Sequence, residues 1–337
     1  MLRYLGFRVL QAVGVLWAAF TVSFAVLFLL PSDPVSIAAG ADAGTPVDAA
    51  AIEQLRSRYG LDQPVAVQYW NALSNAVRGD FGMSISTGQQ VTDAIAAALP
   101  STLVLAGTAL VFALVFGTGV AVLATYTRIH WLRSLLFSLP PLGVAVPTFW
   151  VGLILLQLFS FRLRLFPAFG DQGIEHVILP AISLALPTGA VIAQVLATSL
   201  QTTWRQPFIE AARAKGASRL RIQTRHALKL SSIPAFTIAG VIVGNLLAGS
   251  VVVETVFSRA GIGRLTQMSV MAQDIPVVLG IVAFSATVFV LVNLTVDLLY
   301  PFIDPRITHR IDRGGVDAST EDDPTHDDTL LEVDARV

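Results

Sequence analysis

The sequence predicts an all-α membrane protein of six transmembrane helices, and three observations predict it. Hydrophobic residues make up 54% of the 337 positions and charged residues only 13%, about half of the roughly 25% usual in a soluble domain. Asp, Glu, Lys, Arg and His are missing from six long stretches, 9–32, 94–127, 134–161, 177–204, 230–253 and 275–296, each of at least 22 residues. A helix needs about 20 apolar residues to cross the hydrocarbon of a bilayer. The stretches are also continuous Leu, Val, Ala and Phe runs, whereas a β-barrel reads as alternating segments of about 10 residues. A mean hydropathy of +0.68 excludes an ordinary soluble protein and an intrinsically disordered one. The net charge of −1 supplies no basic excess for nucleic acid. With no cysteine there is no disulfide framework, thiolate metal site or iron–sulfur cluster.

The first span follows Arg3 and Arg8, as a signal peptide would, and Ala39-Gly40-Ala41 has the small-residue pattern of a cleavage site. A signal core runs about 7–15 residues, and the apolar run over 9–30 is longer; a retained anchor is expected. Orientation follows from Lys and Arg. With the N-terminus inside, fifteen of the 22 basic residues fall on inside segments and seven on outside segments. The positive-inside rule then places both termini in the cytoplasm.

Between the first two spans, residues 33–93 form a long, polar external loop. Residues 48–59 read as a helix, with Asp48 as N-cap and Gly60 just past its end, and Asp62-Gln63-Pro64 as a turn. Long ordered loops usually have a task; this one is either a docking surface for an external partner or a cap over the helix ends. The inside segment 205–229 carries more information. Glu210-Ala211-Ala212-Arg213-Ala214-Lys215 is strongly helix-forming, Gly216 can end it in the left-handed conformation, and Ser218 can cap a second helix. On that second helix Arg221, Arg225 and Lys229 recur at i, i+4 and i+8 as a cationic stripe. The segment is a compact knob, and its composition alone fits a plain topological anchor as well. The tail beyond about residue 311 holds Glu321-Asp322-Asp323 and Asp327-Asp328 without apolar periodicity, a pattern of disorder.

Much chemistry is missing. There is no G-x-x-x-x-G-K-[ST], no G-x-S-x-G and no H-E-x-x-H, hence no phosphate-cradling loop, nucleophile elbow or zinc-protease pair. No span contains a histidine or carboxylate, which leaves an intramembrane protease or proton pump without its usual parts. The spans do hold the amides Gln157, Gln194, Asn245 and Asn293. Amides are unfavourable facing lipid, so these join helices to each other or line a wet cavity. Glu254, at the outer end of the fifth span, either gates or sits among headgroups. Pro140, Pro141, Pro147, Pro180 and Pro187 fall inside spans, where proline kinks suit a moving bundle. An uncharged, amide-bearing, kinked core points to passage of a neutral or zwitterionic solute rather than to an ion filter.

At this point a family likeness emerges. The segment EAARAKGASRLRIQTRHALKLSSIP resembles the EAA loop of binding-protein-dependent ABC importer permeases, above all the B-type subunit of dipeptide and oligopeptide importers. The likeness extends over about residues 1–308, through MLRYLGFRVLQ, LLPSDP, YGLDQPVAVQYW, RGDFGMS, VPTFWVG, GSVVVETVFSRAGIGRL and VNLTVDLLYPFIDPR. Two departures are visible: Arg225-His226-Ala227 stands where many such loops place an isoleucine, and Ala260 where proline is usual before Gly-x-Gly.

The resemblance implies that Glu210, Ala211, Ala212 and Gly216, with Arg213 and Lys215, form the ATPase-coupling helix, and that Pro234 marks the end of the loop. It implies a second, homologous permease, two cytoplasmic ABC ATPase subunits or domains, an external solute-binding protein and a peptide-like solute, all within membrane lipid and without nucleic acid. The chain would be a transport subunit and not an enzyme, binding no cofactor or metal itself, with ATP and Mg in the partner ATPases. Pathway-lining candidates are Gln157, Gln194, Asn245 and Glu254. The expected organisation is a cytoplasmic N-terminus at 1–8, a permease domain at 9–308 and an acidic tail at 309–337. ATP-driven closure of the ATPases would move the 205–229 knob as a rigid body and shift the bundle between two states. The alternative, an ATP-independent channel or facilitator for a small neutral solute, needs no such loop.

Overall fold

The computed structural model describes residues 2–29, 35, 37 and 49–303. Ala39-Gly40-Ala41, Asp48, most of LLPSDP and the acidic tail lie outside the described residues. The chain divides into a unit Met1–Val296 and a unit Asp297–Val337, of which the end of the last helix is described. Among the described residues the fold is helical, apart from an isolated antiparallel bridge between Met83 and Gln90. The helices are α1 (Leu2–Leu29), α2 (Ala49–Arg58), α3 (Val65–Val77), α4 (Val91–Tyr126), α5 (His130–Ala145), α6 (Thr148–Leu155) and α7 (Glu175–Trp204), followed by α8 (Pro207–Ala214), α9 (Arg219–Arg221), α10 (Leu228–Ser231), α11 (Ile233–Thr237), α12 (Ala239–Val256), α13 (Ile262–Met271) and α14 (Ile275–Ile303). A π-helical turn at Leu156–Arg162 extends α6, and another at Ile222–Ala227 joins α9 to α10.

Among the described residues, four segments are long and apolar enough to cross a membrane: Gly6–Leu27, Val91–Tyr126, Glu175–Trp204 and Ile275–Val296. Two bent pairs raise the number to six if each is one span. The sequence expectation is six spans with proline kinks, and two of the six stretches are sharply bent. The stretch 134–161 is broken between α5 and the α6 segment by a bend of 102°. Pro140 and Pro141 lie inside α5 without ending it, whereas Pro147 does break the chain. Proline has no N–H and clashes with a helical residue before it; Val146 is accordingly extended, at φ −82° and ψ 125°. In the stretch 230–253, a 60° bend separates Arg219–Thr237 from Val241–Val256.

The core is the pairing of α4 with α7. Small residues form matching stripes, Ala109, Ala113, Gly117 and Ala121 on α4 and Ala181, Ala185, Gly189, Ala193 and Ala197 on α7. Without a hydrophobic drive between helices in lipid, such residues allow backbones to approach and gain dispersion contact. The approach is close: a Cβ added to Gly117 would lie 2.6 Å from the Gly189 carbonyl oxygen. Phe257, Leu156, Val253 and Leu246 complete this cluster from α12 and its end and from the α6 segment.

The 49–90 segment packs on α1 and α14 through Phe20, Phe24 and Leu279 with Tyr69, Leu73 and Ala76. The Tyr69 ring meets Phe24 edge-on at 5.3 Å, and its hydroxyl lies 2.8 Å from that of Thr21. The turn at 83–90 is fastened by Asp274, just before α14. Its carboxylate accepts from the Ser84 hydroxyl at 2.5 Å, the Ser86 hydroxyl at 2.6 Å and the backbone N–H groups of Ile85 and Ser86 at 3.1 and 3.2 Å.

Candidate functional site

The loop that follows α7 is built as a helix, a left-handed stop and a second, capped helix. Pro207 opens α8, where its missing N–H costs nothing. Gly216 adopts φ +79°, a region that residues with a Cβ enter at roughly 1–2 kcal/mol. Ser218 caps α9, its hydroxyl accepting the Arg221 N–H at 3.3 Å. Glu210, Ala211, Arg213, Lys215 and Gly216 are exposed and Ala212 is half-buried, while Ile209 turns inward onto Leu196, Leu200, Ile222 and Ala227. The sequence alone made 218–229 an α-helix. A π-helical turn at Ile222–Ala227 replaces the middle of that helix, and Arg221, Arg225 and Lys229 are all exposed.

Beneath the exposed surface the loop is tied to the ends of α4 and α7. Gln223 is fully buried; its carbonyl accepts from Trp204 Nε1 at 2.5 Å and its amide donates to Thr125 Oγ1 at 2.8 Å. Ser231 donates to Thr203 Oγ1 at 2.8 Å. The Arg219 guanidinium lies 5.1 Å from the Tyr126 ring centroid and 5.7 Å from that of Trp204, and Arg213 covers Trp204 at 5.4 Å. Cation–π pairs of this kind contribute about 0.5–1 kcal/mol each at exposed sites.

A second junction lies at the N-terminal part of α4. Glu254, near the end of α12, is fully buried. It accepts from Thr102 Oγ1 at 2.7 Å and from the N–H groups of Gly263 and Arg264 at 2.8 and 3.2 Å. Thr102 Oγ1 also accepts the Ile262 N–H at 2.8 Å. The first turn of α13 is thereby capped by a hydroxyl and a carboxylate, where unsatisfied donors and the helix dipole favour negative charge. Gly261 is required here, since a Cβ on it would collide with the Glu254 carboxylate. Beside it, Arg259 is buried and donates to the carbonyls of His176 at 3.1 Å and Gly170 at 3.5 Å and to Ser101 Oγ at 3.1 Å. Burial pushes its guanidinium below the usual arginine range, opposed by Asp171 and Glu254.

Residues 113–309 match the family described as binding-protein-dependent transport system inner membrane component, and residues 1–106 match that family's N-terminal membrane component. The chain belongs to this family. It is 36% identical over 310 residues to the "Glutathione transport system permease protein GsiC" of Escherichia coli strain K12, covering 92% of this chain and 100% of that relative. The proteins of the same name from Escherichia coli O1:K1 / APEC and Shigella dysenteriae serotype 1 (strain Sd197) match to the same extent. The protein is thus the multi-pass inner-membrane permease component of a binding-protein-dependent ABC importer. The family is not catalytic and binds no cofactor; ATP is handled by a partner ATPase, alongside a partner permease and a binding protein.

Within the permease, the residues singled out from sequence do not gather in one place. Gln157, Gln194 and Asn245 are exposed, Gln157 beside Trp150, Phe161 and Phe169. Asn293 donates to the Phe289 carbonyl in its own helix at 2.8 Å. Glu254 is fully buried inside the α4–α12–α13 junction. Gln223, Thr125 and Asp274 were not singled out from sequence. A signal existed for two of them: a primary amide inside a run of cations, and a lone acid immediately before an apolar span.

Proposed function

We propose that this permease spans the membrane six times with both termini cytoplasmic, and that with a second, homologous permease it forms the two halves of a translocation pathway for peptide-like solutes. Residues 1–8 are the cytoplasmic N-terminus, 9–308 the permease domain with its external loop at about 33–93, and 309–337 a cytoplasmic tail. The 205–229 loop faces two ABC ATPase subunits or domains, and Glu210, Ala211, Ala212, Arg213, Lys215 and Gly216 meet them. The external loop receives the binding protein. Dipeptides and oligopeptides are the solute class; glutathione, itself a tripeptide, appears in the names of the relatives above.

The observation that carries this reading is the loop's division of labour. Ile209, Ile222 and Ala227 anchor it, while Glu210, Ala211, Arg213, Lys215 and the left-handed Gly216 stand exposed. Exposed amides at 157, 194 and 245 fit a bundle completed by a second subunit, since such groups are unfavourable against lipid. The test is a mild-detergent purification of the tagged chain. Recovery of a P-loop ATPase and a second permease, with the ATPase lost from a Glu210→Arg, Gly216→Val variant, is the expected result. A chain that purifies alone and moves glutathione in vesicles without ATP overturns the reading.

A further inference from the structure

Gln223 cannot seat the loop on an ATPase, because it is fully buried while Thr224 and Arg225 beside it are exposed. Both ends of its side chain are engaged, by Trp204 at 2.5 Å and Thr125 at 2.8 Å. Trp204 is the last residue of α7 and Thr125 lies in the last turn of α4, so one amide joins the loop to two long helices. The bonds continue into the backbone of α4, where the Thr125 hydroxyl reaches the Ala121 carbonyl at 2.9 Å. The π-helical turn Ile222–Ala227 is what holds this residue, and such turns are frequent at functional positions. Arg219 adds a weaker tie, donating to the Thr125 carbonyl at 3.4 Å.

The far part of α4 carries the other junction, Thr102 to Glu254 and Ser101 to Arg259. Thr102 and Thr125 belong to one uninterrupted helix and stand roughly 35 Å apart at 1.5 Å per residue. We propose that Gln223 is the positioning residue that makes the 205–229 loop and α4 move as one body, passing the displacement of the loop along α4 to the Thr102–Glu254 junction. This rests on the loop's being the ATPase seat. Directional hydrogen bonds to a buried amide fix both translation and rotation of the loop against α4, whereas apolar contacts alone allow sliding. Gln223→Leu keeps the volume of the side chain and removes the tie. Thr125 retains its backbone partner, and the half-exposed Trp204 N–H can turn to water, so the variant is expected to fold.

The chain has no native cysteine, which permits a single reporter, Ala97→Cys, on an exposed position near the start of α4. In the full importer reconstituted in vesicles, the rate of its modification by a membrane-impermeant maleimide is compared without nucleotide and with ATP plus vanadate. ATP hydrolysis and ATPase co-purification are followed in parallel. The reporter chain should change rate several-fold with nucleotide. Gln223→Leu and Thr125→Val should each reduce that response at least fivefold with hydrolysis and ATPase recovery retained, Thr125→Ser should preserve it, and the double variant should be no worse than either single one. A full response in Gln223→Leu overturns the proposal, as does loss of the ATPases from that variant, which would place its effect in assembly. Absence of ATPases from the unsubstituted chain overturns the seat itself.

Discussion

The Thr102 hydroxyl donates to the Glu254 carboxylate at 2.7 Å across 152 positions of sequence, and accepts the Ile262 N–H at 2.8 Å on its other side. Three helices meet at this pair: α4 brings the hydroxyl, α12 the carboxylate and α13 the open end of its first turn. The carboxyl group takes two further N–H groups from Gly263 and Arg264, so three donors and a helix terminus hold it, with the Arg259 guanidinium attracted from nearby.

Thr102→Val should therefore destabilise the permease more than its conservative shape suggests. It removes a donor from the buried Glu254 carboxyl group and leaves the Ile262 N–H without an acceptor, and each buried group left unsatisfied costs about 1–3 kcal/mol. Thermal unfolding in detergent should fall by several degrees for Thr102→Val and little for Thr102→Ser, which keeps the hydroxyl. Equal melting temperatures for the two variants would mean that the pair does not hold the junction.

Gly216→Val should uncouple transport while the chain remains expressed and inserted. A Cβ at this position meets nothing within 4 Å, so the effect is purely conformational: φ is +79°, which a β-branched residue tolerates worst. The stop of α8 shifts, and with it the angle of the exposed surface from Glu210 to Lys215. Gly216→Asn, whose side chain visits the left-handed region, should retain most activity. Transport at the unsubstituted rate in Gly216→Val would separate the loop's geometry from coupling.

How much of this was legible follows from the range of each interaction. The apolar stretches were legible because charge in hydrocarbon is so unfavourable that its absence marks them directly. Gly216 and Ser218 were legible because a left-handed stop and a hydroxyl cap act within a few residues. The bend at Pro147 was only half legible: Pro140, Pro141 and Pro147 all lie in one stretch, and only the backbone distinguishes those accommodated inside α5 from the one preceded by an extended Val146. Gln223, Asp274 and Glu254 were illegible as anchors between distant elements, since each ties to a partner far along the chain, 98, 190 and 152 positions away. For Glu254 the pattern of a carboxylate at the end of an apolar run leaves gating and a headgroup place open, and its capping of α13 comes into view only with the fold.

Asp274 offers a separate test of the 83–90 turn. Four donors converge on its carboxylate, and the Ser84 hydroxyl in turn accepts the Thr87 N–H at 2.9 Å. Asp274→Ala leaves Ser84, which is buried, without its acceptor, and the turn loses its attachment to the start of α14. Hydrogen exchange at residues 84–88 should accelerate at least tenfold in this variant, with exchange in α4 and α7 unchanged. Uniform acceleration across the chain would instead mark Asp274 as a determinant of global stability.

The close approach of α4 and α7 sets the sharpest expectation. A Cβ at Gly117 would stand 2.6 Å from the Gly189 carbonyl oxygen and 2.9 Å from the Ile192 Cβ, distances that no rotamer relieves because both atoms are fixed by the α7 backbone. Gly117→Ala must push the helices apart along the stripe that includes Ala113 and Ala121, weakening dispersion contact over several turns, and overpacking of this sort costs about 1–3 kcal/mol. Gly119, two residues on, has nothing within 4 Å of its own Cβ. Gly119→Ala should then be neutral or slightly stabilising, since alanine is the better helix former by about 1 kcal/mol. The pair is a control on itself: the same substitution in one helix should lower the detergent melting temperature at 117 and leave or raise it at 119. Equal effects at both positions would mean that α4 and α7 do not pack along this stripe.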